Sequence, residues 1–251
     1  PEFGSTVDTI TAHGFPLDER VEMLLSSDTA EGVAKSIGLG VIGFSQAFAR
    51  NRPDILLVLG DRFEMYAAVV AAVPFRIPIA HIHGGEVTAS LDDAIRHSIT
   101  KFSHLHFVST QQYADRVIRM GEEPWRVVVS GAPSLDNLRD VSMLGFEEMK
   151  STLGLELTQP FMMATYHPAT HDPQSPATQI AEVLAAVEMR DLPVVFTMAN
   201  ADPGGREIDQ AIRAFVGSHP KAHYVPNLGT QEYFSMMSNA SLMLGNSSSG
   251  I

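Results

Sequence analysis

Short apolar runs and amphipathic segments alternate along the chain. Runs such as ILLVLG at 55–60 and IPIAHI at 77–82 are apolar without internal alternation, which is typical of parallel strands covered on both faces. Between such runs, apolar residues recur at steps of three and four, as in 33–48, and predict amphipathic helices. Asp28, with Glu31 three residues later, predicts where the first of these helices begins.

The same alternation continues through both halves of the sequence. In the first half, strands are predicted at 55–60, 77–82, 104–109 and 126–131, with helices from 63 and at 92–103 and 111–121. In the second half, strands are predicted at 161–168, 193–198, 222–225 and 242–246, with helices at 175–190, 206–218 and 230–239. This order of elements predicts an α/β fold with two Rossmann-like domains in tandem.

The alternation of predicted strands and helices is interrupted by a polar stretch with a helical pattern around 139–160. We therefore expect a domain boundary there, with a first domain at 1–140 and a second domain at 141–251. The sequence opens without a first strand and stops at Ser249-Gly250-Ile251, where a helix should begin. The first strand of one domain and the end of the other are therefore expected to be missing.

Composition narrows the class of protein. The 251 residues are 45% hydrophobic and 18% charged, as in globular proteins, and the net charge of -12 argues against nucleic-acid and anionic-membrane partners. The absence of cysteine excludes disulfides and thiolate sites and favours a reducing compartment, for which we expect the cytoplasm. No uninterrupted apolar run reaches the ~18 residues of a membrane span, and no targeting segment is evident. We expect a soluble protein.

Polar residues concentrate where the predicted strands end, which is where open parallel sheets bind ligands. In the first half these residues are Gly60, Asp61, Arg62, His83, Gly84, Gly85 and Glu86, with Asp92 and Asp93 opening the next helix. In the second half they are Thr165, Tyr166, His167, Asn200, Asp202 and the GNSSSG run at 245–250. Five strand ends carrying acids, histidines or hydroxyls indicate a site for chemistry.

Each of these residues also has a structural interpretation. The alternatives are helix caps for Asp61, Asp92 or Asp93, a hydrogen-bonded core position for His81, ion pairs with neighbouring acids for Arg62 and Arg96, and a tight turn for Gly84 and Gly85. His81 and His83 have a spacing that permits metal ligation, but we expect no metal.

The GNSSSG run fits a phosphate cradle. Small residues let the backbone approach an oxyanion, hydroxyls add donors, and a following helix supplies its dipole. The run matches neither the Walker A nor the GxGxxG motif, and a serine-rich loop is the alternative. Together with His167 and Asn200, it predicts a phosphate-binding site in the second half.

Five stretches carry a family resemblance. They are GDRFEMYAA, HIHGGEVTASLDDAIRHSITKFSHLHFVST, VVVSGAPSLDNL, YHPAT and GNSSSG. Through them, essentially the whole chain resembles the UDP-N-acetylglucosamine 2-epimerase family, in particular the hydrolysing branch of bacterial sialic-acid and legionaminic-acid biosynthesis. The resemblance implies a GT-B-like pair of domains with the nucleotide sugar in the interdomain cleft, no cofactor, and a homodimer or homotetramer. It also implies a preceding strand and a following segment that this sequence lacks.

The resemblance implies hydrolysis of UDP-GlcNAc, or of UDP-2,4-diacetamido-trideoxyglucose, to UDP and the C2-inverted sugar. The route is elimination of UDP to a 2-acetamidoglycal followed by hydration. The alternatives are a non-hydrolysing 2-epimerase, a GT-B glycosyltransferase and a non-catalytic nucleotide-sugar-binding module.

The resemblance and the strand-end argument together assign the site residues. The predicted catalytic residues are Asp61, His83, Glu86, Asp92 and His167, and the predicted substrate- and UDP-binding residues are Arg62, Arg96, His97, Asn200, Asp202, Val225, Ser247 and Ser248. His83 stands where several family members have a catalytic Glu. Either His83 transfers protons itself or Glu86 takes that role, and the departure could instead mark a different sugar.

Overall fold

A computed structural model describes residues 6–27, 29–88, 91–169, 172–199 and 204–247. The chain divides into two compact units, one ending at Leu135 and the other beginning at Asp136. Each unit contains one four-stranded sheet in which all paired strands are parallel. The predicted α/β class with two Rossmann-like sheets is confirmed.

The first unit is built on a sheet whose strand order follows the chain. Its elements are α1 (Thr6–Ala12), α2 (Ala30–Arg50), β1 (Leu56–Leu59), α3 (Phe63–Ala72), β2 (Ile79–Ile82), α4 (Leu91–Phe102), β3 (Leu105–Val108), α5 (Gln111–Arg119) and β4 (Val127–Val129). The strand order is β1-β2-β3-β4. Because every right-handed crossover steps in the same direction, α3, α4 and α5 lie on one face of the sheet. Val58 and Val108 are buried against these helices.

The opposite face of the first sheet is less covered. Side chains alternate between faces along a strand, so Leu57 and Leu59 point away from Val58. Leu57 and Leu59 are 60% and 54% exposed, and Val128 on β4 is 47% exposed. The described part of the first unit therefore presents an apolar sheet face to solvent.

Helix α2 begins one residue later than a start at Asp28 would require. Thr29 is the N-cap, and its side chain accepts a hydrogen bond from the Gly32 amide at 3.1 Å; Asp28 lies outside the described residues. By length and composition alone, the helix is long and apolar enough to cross a membrane. Its apolar residues are interrupted by polar ones, so it contains no continuous apolar run of that length. Core helices of soluble proteins meet the same criteria, and residues such as Ala47 and Phe48 are buried in the first unit.

The second unit has a sheet in which the chain reverses its direction of winding. Its elements are α6 (Asn137–Asp140), α7 (Phe146–Leu153), β5 (Met162–Thr165), α8 (Pro176–Glu188), β6 (Val194–Thr197), α9 (Gly205–Ser218), β7 (Ala222–Val225), α10 (Thr230–Asn239) and β8 (Leu242–Gly245). The strand order is β7-β6-β5-β8. Ile180 and Ile208 cover one face of this sheet, and Met149 and Met236 cover the other. The switch in winding falls between β5 and β8, where ligands of open α/β sheets bind.

Candidate active site

Strand β1 ends in a turn that places a carboxylate at the edge of the first sheet. The turn is made by Gly60, whose φ of +74° lies in the region that favours glycine. Asp61 and Arg62 follow it. Helix α3 begins at Phe63 with Arg62 at the N-cap position, so the interpretation of Asp61 as a helix cap is wrong. The Asp61 carboxylate instead contacts the Arg96 guanidinium.

Arg96 on α4 joins the groups at two strand ends. Its side chain is only 4% exposed and contacts Asp61 and Asp93, the latter at 2.9 Å. The same guanidinium donates to the backbone carbonyl of Glu86 at 3.0 Å. A buried guanidinium with two carboxylate partners and a carbonyl partner has a fixed orientation. The expectation that Arg96 pairs with neighbouring acids is confirmed, and the pairing brings Asp61 and the Glu86 turn to one cation.

Strand β2 is followed by a second polar cluster. His83 Nδ1 lies 2.7 Å from Glu86 Oε1, and the Ser109 hydroxyl, just after β3, donates to the same oxygen at 2.7 Å. Burial raises the pKa of the Glu86 carboxyl, but the hydrogen bonds from His83 and Ser109 outweigh it and lower the pKa overall. This cluster joins a carboxylate to an imidazole in a geometry suited to proton transfer.

His83 also has an unusual backbone conformation. Its φ is +66°, which is uncommon for residues other than glycine and which histidine adopts more often than most. The His83 amide donates to the Phe107 carbonyl at 2.9 Å, so the ladder to β3 continues past the end of β2. Strained backbone of this kind is often found at functional sites.

The first turn of α4 contributes further acids. Helix α4 begins at Leu91, so Asp92 and Asp93 lie within its first turn and are not its N-cap. Asp93 accepts hydrogen bonds from the Thr88 amide at 2.8 Å and the Thr88 hydroxyl at 3.0 Å, in addition to its contact with Arg96. Asp92 is half-buried one residue earlier. Burial lowers the pKa of His97 on the same helix.

The second unit places a histidine and an asparagine together at its switch point. The His167 amide donates to Asn246 Oδ1, and the Asn246 amide group donates to the His167 carbonyl, both at 2.8 Å. Gly245 pairs in register with Thr165, and a Cβ on Gly245 would lie only 1.8 Å from the Thr165 carbonyl oxygen. The glycine that opens the GNSSSG run is therefore required by the close approach of two strands.

The remaining predicted residues have varied positions. Arg62 pairs with Glu64 at 3.2 Å, as expected from the ion-pair alternative. Val225 ends β7 and packs in the hydrophobic core of the second unit. Ser247 directly follows Asn246. Three predicted binding residues, Asn200, Asp202 and Ser248, lie outside the described residues.

Asn246 was among the strand-end residues, as part of the GNSSSG run, but no role was assigned to it. The sequence pattern did not single out two other residues with a part in these clusters. Ser109 lies at a strand end, so the strand-end argument applied to every polar residue would have included it. Gln179 on α8 could not be found in this way. Its side chain is bound to the Ala169 amide at 3.0 Å and to the Gln174 carbonyl at 3.0 Å, which fixes the loop after His167.

Metal ligation by His81 and His83 has no geometric support among the described residues. Both ring nitrogens of His81 contact protein groups, and His83 Nδ1 contacts Glu86. No cluster of three or more acidic or histidine side chains suited to a metal ion occurs in the part of the chain that the structure describes.

These features define a tandem Rossmann-like α/β protein with a candidate site of carboxylates and histidines at its strand ends. The chain belongs to the UDP-N-acetylglucosamine 2-epimerase family, whose family model matches residues 1–251.

Two relatives support this family assignment, and one solved structure shares the fold. The chain is 36% identical to the GDP/UDP-N,N'-diacetylbacillosamine 2-epimerase (hydrolyzing) of Campylobacter jejuni and 34% identical to the UDP-N,N'-diacetylbacillosamine 2-epimerase (hydrolyzing) of Legionella pneumophila. The alignments cover 100% and 99% of this chain but 66% of each relative, so the chain spans just under two thirds of their length. The crystal structure of the Methanocaldococcus jannaschii UDP-GlcNAc 2-epimerase with UDP-GlcNAc and UDP has the same fold, with a TM-score of 0.78 at 18% identity over 98% of this chain and 68% of that one.

Proposed function

We propose that this protein is a hydrolysing 2-epimerase of nucleotide-linked 2-acetamido sugars. The observation that carries the proposal is the gathering of Asp61 and the His83–Glu86 pair around Arg96 at adjacent strand ends. The reaction requires a group that removes a carbon-bound proton and a group that returns one, and carboxylates and histidine serve both purposes. Family membership and the hydrolysing relatives support the same reaction.

The proposed reaction has two steps. In the first, a carboxylate takes the proton from C2 of the sugar, the C1–C2 double bond forms, and the bond from C1 to oxygen breaks so that UDP leaves as an anion. In the second, an acidic group delivers a proton to C2 from the other face, and the oxygen of water bonds to C1 as a basic group takes one of its protons. Asp61, Glu86 and His83 are proposed proton-transfer groups because they lie in the polar clusters around Arg96. Asp92, in the first turn of the helix that bears Arg96, is a further proposed proton-transfer group.

The second unit is the proposed binding site for UDP. The switch point between β5 and β8 is where α/β sheets bind ligands, and His167 and Ser247 lie at the two strand ends that meet there. We retain His167 as a further catalytic candidate. In an acidic chain, a diphosphate needs a local set of donors, for which Ser248 and Asn200 are proposed from the sequence. Asp202, whose carboxylate accepts hydrogen bonds, and Arg62 and His97 of the first unit are proposed from the sequence as further substrate contacts.

The proposed sugar carries two acetamido groups. The two hydrolysing relatives are named for N,N'-diacetylbacillosamine, which favours a nucleotide-linked diacetamido sugar over UDP-GlcNAc. A place in sialic-acid or legionaminic-acid biosynthesis, assembly as a homodimer or homotetramer, and a cytoplasmic location remain predictions from the resemblance. Analytical ultracentrifugation and cell fractionation test the last two.

The direct test is to incubate the protein separately with UDP-N,N'-diacetylbacillosamine and with UDP-GlcNAc and to follow both by ³¹P and ¹H NMR. We expect stoichiometric release of UDP and of the C2-inverted sugar, faster with the diacetamido substrate. A C2 epimer that stays linked to UDP would identify a non-hydrolysing epimerase. UDP binding without turnover of either substrate would identify a binding module. Either result would overturn the proposal.

A further inference from the structure

His81 is a fully buried polar residue in the middle of the first sheet. It lies on β2, is 0% exposed, and pairs in register with Val58 on β1 and His106 on β3. Burying an imidazole is unfavourable unless its nitrogens are hydrogen-bonded. The hydrogen-bond partners of His81 therefore indicate the role of a histidine in this apolar strand.

One ring nitrogen of His81 contacts the turn that carries Asp61. His81 Nε2 lies 2.7 Å from the backbone carbonyl oxygen of Gly60. A carbonyl can only accept, so Nε2 carries the proton and donates it. The Gly60 amide donates to the Ile82 carbonyl at 2.9 Å, which fixes the other side of the same residue. Gly60 is thus held through both of its backbone polar groups, directly before Asp61.

The other ring nitrogen of His81 lies beneath the turn that carries Glu86. His81 Nδ1 is 3.2 Å from the Thr100 hydroxyl, and that hydroxyl is 3.0 Å from the Arg96 carbonyl. A Cβ placed on Gly84 would lie 3.1 Å from both His81 Nδ1 and Thr100 Oγ1. The His81–Thr100 pair therefore fills the space directly under the Gly84 backbone and connects it to the helix that bears Arg96.

We propose that His81 is a positioning residue that fixes the Gly60–Arg62 and His83–Glu86 turns relative to each other. Its role is to hold the two turns so that the Asp61 and Glu86 carboxylates keep the separation that the reaction requires. His81 itself does not contact the sugar. The proposal rests on the proposed function for its catalytic readout. Small displacements of proton-transfer groups lower the rate of the chemical step more than they weaken substrate binding.

The chain offers a matched control in His106. This histidine is the register partner of His81 on the neighbouring strand and is also 0% exposed. Its Nε2 lies 3.3 Å from Glu122 Oε2, in the loop after α5, and its hydrogen-bonded contact is with that loop. Replacing His106 removes an equally buried imidazole from the same sheet without removing a hydrogen bond to either turn.

The experiment compares His81→Phe, His81→Gln and His106→Phe with the wild type by two measurements. The first is kcat and KM with the nucleotide sugar. The second is hydrogen exchange, by mass spectrometry, of peptides covering 59–62 and 83–86. We expect His81→Phe to lower kcat by about 10- to 100-fold with KM nearly unchanged, and to speed exchange in both turns. His81→Gln retains a donor for the Gly60 carbonyl and should recover part of both losses, whereas His106→Phe should change neither turn.

Either measurement can contradict the proposal. The proposal is wrong if both turns of His81→Phe exchange at the wild-type rate, or if His81→Phe and His106→Phe have equal effects. Either result would show that His81 is only a core residue. If the wild type does not turn over the nucleotide sugar, the proposed function fails while the exchange data still decide the positioning role. If His81→Phe does not fold, Thr100→Val and His81→Gln replace it, and unchanged exchange near Gly84 in both would overturn the proposal.

Discussion

Asp61 is the carboxylate whose role can be tested most directly. Asp61 is not the N-cap of α3, because Arg62 occupies that position. Its carboxylate instead forms an ion pair with the buried guanidinium of Arg96. Arg96 has two carboxylate partners, Asp61 and Asp93, and only Asp61 lies at a strand end. Replacing Asp93 removes an ion pair with Arg96, whereas replacing Asp61 also removes the proposed proton-transfer group. Comparing the two substitutions therefore distinguishes the two effects.

We predict that Asp61→Asn lowers turnover by about 10²–10⁴-fold, because the amide cannot accept the proton from C2. The change keeps the size of the side chain, and UDP binding in calorimetry should remain. Asp93→Asn is the control, since it also removes one carboxylate partner of Arg96. Turnover in Asp93→Asn should be at least tenfold higher than in Asp61→Asn. Near wild-type turnover by folded Asp61→Asn would assign proton transfer to His83 or Glu86.

The strand ends of the site could be predicted from the sequence, but its contacts could not. Asp61, His83 and Glu86 follow apolar runs, so their position at a sheet edge is a local property of the chain. The contact of Arg96 with Asp61 joins residues 35 positions apart, and that of Ser109 with Glu86 joins residues 23 apart. Such contacts depend on strand register and helix rotation, which periodicity does not determine.

At the scale of elements, the approach of β8 to β5 makes Gly245 irreplaceable. Its φ of +139° is strained for any residue with a side chain, and a Cβ would overlap the Thr165 carbonyl. We predict that Gly245→Ala destabilises the second unit by more than about 2 kcal/mol and weakens UDP binding, as measured by thermal unfolding and calorimetry.

Gly217 provides the control for this substitution. It lies in α9 with no atom within 4 Å of the position a Cβ would occupy. Gly217→Ala should therefore stabilise the helix by up to about 1 kcal/mol, since alanine is the better helix former. An unfolding temperature of Gly245→Ala equal to that of the wild type would contradict the packing argument.

The central strands of the first unit carry buried histidines that couple its stability to pH. Burial lowers the pKa of His81 to about 4 and also lowers the pKa of His106. A group whose pKa is lowered in the folded state binds a proton more readily in the unfolded state. The contribution of neutral His81 to the free energy of unfolding is therefore complete above about pH 6.5 and is lost as the pH falls toward 4. The shift of His81 corresponds to about 3 kcal/mol.

We predict that the free energy of unfolding of the first unit falls between pH 6.5 and 4 and that His81→Gln reduces this fall. Trp125 is the only tryptophan in the sequence and lies in the first unit, so its fluorescence during urea unfolding reports on that unit. The measurement is a series of urea titrations from pH 7.5 to 4. An identical pH dependence in wild type and His81→Gln would show that the imidazole does not carry the effect.

The elements themselves followed from apolar periodicity, with two kinds of departure. The strand predicted at 161–168 is observed as Met162–Thr165, because the chain leaves the ladder at Tyr166 to form the loop held by Gln179. Helix α1 was not predicted, since Thr6–Ala12 is only seven residues long and has Val7 and Ile10 as its only large apolar residues, too few to show a period. Periodicity thus located elements that bury a face and missed one with little to bury.

At the scale of the whole molecule, the two sheets differ in how well their faces are covered. The second has clusters on both faces, whereas the first leaves Leu57, Leu59 and Val128 exposed. Contiguous exposed apolar residues bind hydrophobic dyes and promote association. We predict that this chain enhances the fluorescence of an anilinonaphthalene sulfonate dye and that Leu57→Lys with Leu59→Lys lowers the enhancement.

Met189 supplies the comparison for this prediction. It is 86% exposed at the C-cap position of α8. Met189→Lys should leave dye binding nearly unchanged, because a single apolar side chain does not form a patch. Equal effects of the two substitutions would show that the sheet face is not the surface that binds the dye.

The strand orders of the two sheets also imply an order of folding. In the first sheet every strand pairs with the strand made just before it, so the sheet can grow as the chain is synthesised. In the second, β5 pairs with β8, and the pair of Thr165 with Gly245 cannot form until β8 has left the ribosome. Long loops close at an entropic cost before their contacts form. The contact between His167 and Asn246 therefore forms only after β8 has been made, and a nucleotide bound at that switch point would select chains in which β8 has paired with β5.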